Sequence, residues 1–150
     1  MTVGLLDVNV LVALAWPSHV HHREAHIWFD ENQMHGWATC PLTQCGFVRI
    51  SSNPRIIREA VSPIEALVLL KEMTSLDHHD FWPDDAPFHE ESFPTELLVG
   101  HRQVTDAYLL GLAIRHKGKL VTLDQSLSGL LPASSPHRVA LEVVSVKPGR

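Results

Sequence analysis

Basic residues are scarce in this chain: 12 Lys and Arg stand against 17 Asp and Glu, a net charge of −5 with the eleven histidines neutral. The whole-molecule field therefore does not attract phosphate backbones, and a nucleic-acid substrate would need a local basic patch or bridging cations. Cysteine is scarcer still. Cys40 and Cys45 are spaced neither as CxxC nor as any other metal pair, which argues against a thiolate metal site and for free thiols in a reducing compartment. No apolar run approaches membrane-spanning length, and there is no repeat, linker or low-complexity tract. The opening MTVGLLDVNVLVALAW is apolar enough to be mistaken for a secretion signal. It lacks a basic leader, however, and carries Asp7 in the would-be hydrophobic region, so the chain is read as cytoplasmic. What is present is the composition of one ordinary globular domain, residues 1–150, with 45% hydrophobic and 19% charged residues. That length buries a core without disulfides.

Short apolar runs alternate with helical patterns along the chain. Val3–Leu6 ends at an acid and suits a buried parallel strand. Asn9 is placed to cap VLVALAW, closed by Pro17, and Ser18 opens a more polar helix to about Met34. Trp37–Cys40 is a second strand, and Thr43 a cap for QCGFVRIS. SPIE, Ser62–Glu65, combines a capping box with Pro at the first helical position. HHDFWPDD holds a third strand and a turn, with Phe81 and Trp82 supplying core or interface surface; Asp84–Gly100 reads as a loop or short helix. Thr105 is placed to cap DAYLLGLAIRHK, and KLVTLD and LEVVSV are the fourth and fifth strands. This alternation predicts an α/β fold, a mainly parallel sheet of about five strands covered on both faces. An all-helical domain would leave KLVTLD and LEVVSV unexplained.

TVGLLD and KLVTLD share a grammar: an apolar strand ending in Asp, which puts Asp7 and Asp124 at the carboxyl edge of the sheet, where open α/β folds bind ligands. Asp106 joins them by another route. Leu109, Leu110 and Ala113 share its helical face, and that apolar face must pack on the sheet, so Asp106 turns inward near the positive helix terminus. Each acid alone could be an ordinary capping residue. Three together would repel one another, and a hard cation with oxygen ligands, Mg²⁺ or Mn²⁺, removes the penalty. Such sites handle phosphates.

LLDVNVLVAL, ATCPLTQCGFVRISSNP and GHRQVTDAYLLGLAIRHKGKLVTLD, spread over nearly the whole chain, resemble the successive blocks of a PIN domain, in particular a VapC-type toxin ribonuclease of bacterial toxin–antitoxin systems. The resemblance implies a three-layer α/β/α fold, a Mg²⁺- or Mn²⁺-dependent endoribonuclease leaving 5′-phosphate and 3′-hydroxyl ends, frequent homodimers and neutralisation by a cognate antitoxin. Carried over to this chain, the metal-site acids are Asp7, Asp106 and Asp124, with Asn9 and Thr105 as supporting or phosphate contacts. Thr122, two residues before Asp124 and hence on its face of the strand, is placed to orient a water. Where the family usually has a Glu in the helix after the second strand, this chain has Gln44. That leaves one carboxylate fewer, with Glu31 and Glu90 as conceivable substitutes, and opens the alternative of a weakened module that binds RNA or antitoxin without efficient cleavage.

Two further features stand out. His22 and His26 in HVHHREAH are four apart on one helix face, the spacing of a chelating pair, though the segment is polar and no further ligand set accompanies it. Arg49, Arg55, Arg58 and Arg102 offer either a solvated face or an RNA-contacting rim. Two other enzyme and signalling folds fit less well. A haloacid-dehalogenase-type phosphatase needs a second acid where this chain has Asn9, and a receiver domain needs paired acids after the first strand.

Overall fold

The computed structural model describes residues 2–146. Five short strands, β1 (Gly4–Leu6), β2 (Trp37–Thr39), β3 (His79–Phe81), β4 (Lys119–Thr122) and β5 (Leu141–Val143), form one sheet in the order β3-β2-β1-β4-β5. Every pairing is parallel. The helices are α1 (Val8–Ala15), α2 (His22–Asn32), α3 (Pro41–Ser51), α4 (Pro63–Thr74) and α5 (Val104–Arg115). Chain order runs outward from β1 to β2 and β3, then returns to β4 on the other side of β1. The direction of winding thus reverses between β1 and β4, and that is where open α/β sheets bind ligands.

The strands are buried on both faces because alternate residues enter different cores. Leu5 and Leu120 pack with Leu109, Leu110 and Ala113 of α5, while Leu6 and Val121 pack with Val10, Leu11, Trp28, Phe47 and Leu70 from α1 to α4. The result is three layers, α/β/α, as the alternation predicted. Leu109, Leu110 and Ala113 are all buried, so the face of α5 assigned to the sheet is the one that meets it.

The helix starts differ from expectation in an instructive way. Asp7, not Asn9, caps α1: its carboxylate accepts from the Val8 N–H at 2.7 Å. The α3 helix begins at Pro41 with Cys40 before it, and Thr43 sits at the third helical position, accepting from the Cys40 N–H at 3.0 Å. Pro at the first helical position is the signal that marks this start. Thr105 is already inside α5, because a 3-10 turn over His101–Gln103 runs straight into the helix. Ser18 opens no helix; its backbone N–H donates to Glu59 at 3.2 Å. The Ser62 cap of α4 is as read, accepting from the Glu65 N–H at 3.2 Å. Residues 82–100 hold no regular helix or strand, yet Trp82 and Phe93 from this stretch are buried while Phe81 is exposed. Phe93 lies so close to α5 that a Cβ on Gly111 would fall 2.0 Å from its ring.

Three contacts hold the first crossover in place. His22 and His26 contact the carbonyls of Ala13 and Leu14 at 2.7 and 2.8 Å. They satisfy groups that the end of α1 leaves without helical partners, so one nitrogen of each ring serves the fold. The Trp16 indole N–H donates to Ser51 Oγ at 2.9 Å in a fully buried contact, joining the end of α1 to the end of α3. Removing the acceptor strands a buried donor, so Ser51→Ala is expected to lower unfolding free energy by about 1–3 kcal/mol. Urea denaturation measures this, and adding Trp16→Phe to Ser51→Ala should cost less than the two single losses combined.

Candidate active site

The parallel ladder carries Asp7 past the end of β1: its N–H donates to Val121 O at 2.9 Å, which sets its side chain beside Thr122. The Asp7 carboxylate is buried, and both of its oxygens accept hydrogen bonds. One oxygen takes the Val8 N–H; the other accepts from Thr122 Oγ1 at 2.8 Å and from Asn9 Nδ2 at 3.4 Å. Asn9 also donates to Thr122 Oγ1 at 3.1 Å and accepts from the Leu123 N–H at 3.1 Å. Thr122 Oγ1 receives the Asp124 N–H at 3.1 Å. Asn9 and Thr122 therefore lock the β1 and β4 ends together and aim Asp7. Thr122, fully buried, has its hydroxyl proton committed to Asp7 and is not placed to orient a water.

Asp7, Asp106 and Asp124 line one cavity of about 560 Å³. They form a gradient of exposure: Asp7 buried, Asp106 half-buried, Asp124 exposed. Burial raises the Asp7 carboxyl above its ordinary value and the Asp124 charge adds to this, against the opposing hydrogen bonds of Thr122 and Val8. Asp106 is pushed up to about 6, first by burial and then by the charges of Asp7 and Asp124. Asp124 is held by Ser126, whose N–H and hydroxyl donate at 2.9 and 2.7 Å. Among the described residues, no three His, Cys, Asp or Glu side chains are drawn tightly enough to enclose a metal ion by themselves. The acids instead leave room between them, which suits a cation that keeps several waters and takes one or two carboxylates.

Other anticipated residues fall elsewhere. Gln44 is absent from the lining of the acid cavity; its amide donates to Thr39 Oγ1 at 3.0 Å, and with Arg49 it lines a separate cavity between α3 and α4. Thr105, Arg55 and Arg102 are exposed and line no acid cavity. Glu90 pairs with Arg115 at 3.2 Å and Glu31 is exposed on α2, so neither replaces the missing acid. The remaining wall of the cavity was not anticipated. Val12, Val20, Ile50, Ile56 and Ile57 supply apolar surface, with His19 beside them. These residues come from α1, α3 and two loops with no shared spacing, so no sequence pattern marks them.

Fold and site together define a class: the chain belongs to the PIN-domain family, whose profile matches residues 4–130. Among curated proteins, it is similar to Ribonuclease VapC39 of Mycobacterium tuberculosis, 49% identical over 126 residues, which is 83% of this chain and 91% of the relative. It is 48% identical over 144 residues to Ribonuclease VapC38 of the same species, covering 96% of this chain and 99% of the relative. Ribonuclease VapC29 is 43% identical over 130 residues, 87% of this chain and 91% of that protein.

The raised Asp106 carboxyl has a consequence for stability. The unfolded chain gives up this proton near the ordinary value of 3.8, the folded chain near 6, so the native state binds more protons in between. Stability contributed by the protonated form is lost as pH rises through that window. In EDTA, Asp106→Asn is expected to melt higher than wild type at pH 7.5, with the advantage vanishing below about pH 4. Thermal melts across pH measure it.

Proposed function

We propose that this protein is a ribonuclease toxin of a toxin–antitoxin pair, cleaving RNA phosphodiesters at a divalent-cation site made by Asp7, Asp106 and Asp124. The observation that carries the reading is the convergence of these acids on one cavity at the winding reversal, with Asp7 and Asp106 both pushed toward the protonated form, first by burial and then by neighbouring acid charge. Membership of the PIN family and the likeness to proteins named ribonucleases support it.

The donor set is all oxygen, which fits Mg²⁺ or Mn²⁺ and disfavours Zn²⁺. When bound, the cation supplies Lewis-acid polarisation of a phosphate oxygen and cancels the repulsion among the acids. The residues of the chain do the positioning. Thr122 and Asn9 hold the Asp7 carboxylate in one orientation, and Ser126 does the same for Asp124. Asp106 approaches from the first turn of α5, on the opposite side of the sheet from α1. Nothing favours the alternative of a module disabled at Gln44, since that side chain is tied to Thr39 away from the acids.

Partners follow from the same reading: RNA as substrate, with exposed Arg49, Arg55 and Arg102 as rim, and a cognate antitoxin as inhibitor. A homodimer is supported by the apolar outer face of α4, where Ile64, Leu67 and Val68 are each more than half exposed. No helix of the described residues is long and apolar enough to cross a membrane.

Purified protein freed of any antitoxin should cut structured RNA in Mg²⁺ or Mn²⁺ and stop in EDTA. Thr122→Val should lower the rate by about 10- to 100-fold, the range seen when a group that orients a metal ligand is removed, and Asp7→Asn should cost more. Cleavage that ignores EDTA or survives Asp7→Asn sinks the reading.

A further inference from the structure

The acid cavity has a second half that the chemistry above does not use. Val12, Val20, Ile50, Ile56 and Ile57 make a largely apolar wall, and His19 lines the same cavity with Ser18, whose hydroxyl is taken by Glu59. The His19 tautomer is fixed by the backbone. The His21 N–H reaches His19 Nδ1 at 3.0 Å, and an amide N–H can only donate, so Nδ1 is an acceptor and the neutral ring carries its proton on Nε2. Nε2 has no protein partner among the described residues. Protonating Nδ1 would break the bond to His21, and burial together with the neighbouring His21 and His22 lowers the tendency of His19 to charge. The apolar wall is therefore accompanied by a neutral ring whose Nε2–H is not taken by a protein acceptor among the described residues.

We propose that this half of the cavity is a nucleobase subsite, seating one unpaired base that flanks the scissile phosphate, with His19 Nε2–H donating to an acceptor on the base edge. The proposal rests on the ribonuclease reading for the identity of its ligand. A chain whose phosphate is held at the acids must place the adjoining nucleoside in the continuous space next to them. The charge pattern selects the base as occupant. No Lys or Arg lines this cavity, so a second phosphate finds no counter-charge there, whereas a neutral, flat base buries its faces on Val and Ile. A cavity of about 560 Å³ lies in the range of small-molecule pockets. Sequence-dependent RNA recognition generally works on unpaired bases splayed out of a stack, read at their hydrogen-bonding edges.

Two variants separate reading a base from holding the loop. His19→Asn keeps an oxygen able to accept the His21 N–H in an Asx turn but lacks the Nε2 donor; His19→Ala lacks both. Fluorescein-labelled RNA heptamers of A, C, G or U are titrated by anisotropy in Ca²⁺, an oxygen-seeking cation that neutralises the acids. Wild type should prefer one heptamer by about five- to tenfold, the discrimination of one hydrogen bond, and both variants should reduce the preference to within about twofold. Wild type that does not discriminate, or His19→Asn that keeps the wild-type ranking and ratios, overturns the proposal and leaves the wall to a protein partner. Mapping 5′ ends after Mg²⁺ digestion of a randomised RNA pool separates the two readings. Discrimination without cleavage removes the ribonuclease and keeps the base pocket, while cleavage with no base preference does the reverse.

Discussion

Asp7 stands at the end of the central strand with one carboxylate oxygen on the first N–H of α1 and the other on the Thr122 hydroxyl of β4. This contact joins the chain's first strand to one more than a hundred residues later, at the only place where the sheet's winding reverses among the described strands. Asn9 spans the same gap, bonding Thr122 and the Leu123 N–H. A buried carboxylate is costly unless hydrogen-bonded, and here the bonds reduce the cost without removing it: burial still dominates and the carboxyl remains raised. The residual penalty is a property of the arrangement. A site that prefers a proton in isolation is one that a cation can relieve.

Tension of this kind separates the structural from the chemical role of each acid. Asp7 is both helix cap and site wall, so the two roles are compatible at this position. Asp124 likewise caps a 3-10 turn through Ser126 while lining the cavity. Only Asp106 has no side-chain hydrogen bond among the described residues, and it carries a shift large enough to reach about 6. Of the three it is the carboxylate for which the fold offers no employment other than the cavity.

The sheet, its parallel sense and the three acids were legible because each rests on a strong local signal. Apolar runs ending in Asp mark strands at the carboxyl edge, and the 3.6-residue spacing from Asp106 to Leu109, Leu110 and Ala113 marks a face turned to the sheet. The misplaced caps have a shared cause. Asn9, Thr43 and Thr105 are all residues favoured at helix starts, yet each lies at the second or third position of its helix, where Asn9 bonds back to Asp7 and Thr43 to Cys40. A polar residue near a helix start is ambiguous between these sites until the neighbouring strand is placed. Gln44 was aligned with the acids by resemblance, but its amide bonds to Thr39, a contact set by how α3 packs on β2. The apolar wall beside His19 was invisible because loops brought together by the Trp16–Ser51 and Ser18–Glu59 contacts leave no period in sequence.

The β1–β4 pairing also dictates when the cavity can exist. Leu6 pairs with Val121, so closing this ladder requires nearly the whole chain, and non-local parallel pairings form slowly because the loop entropy must be overcome first. A growing polypeptide has β1, α1 and Asp7 early, but lacks Thr122 and Asp124 until β4 is made. Folding intermediates that contain only β1 to β3 hold one of the three acids. The acid cavity therefore cannot close before β4 is made, and a copy that stops short of β4 lacks Thr122 and Asp124.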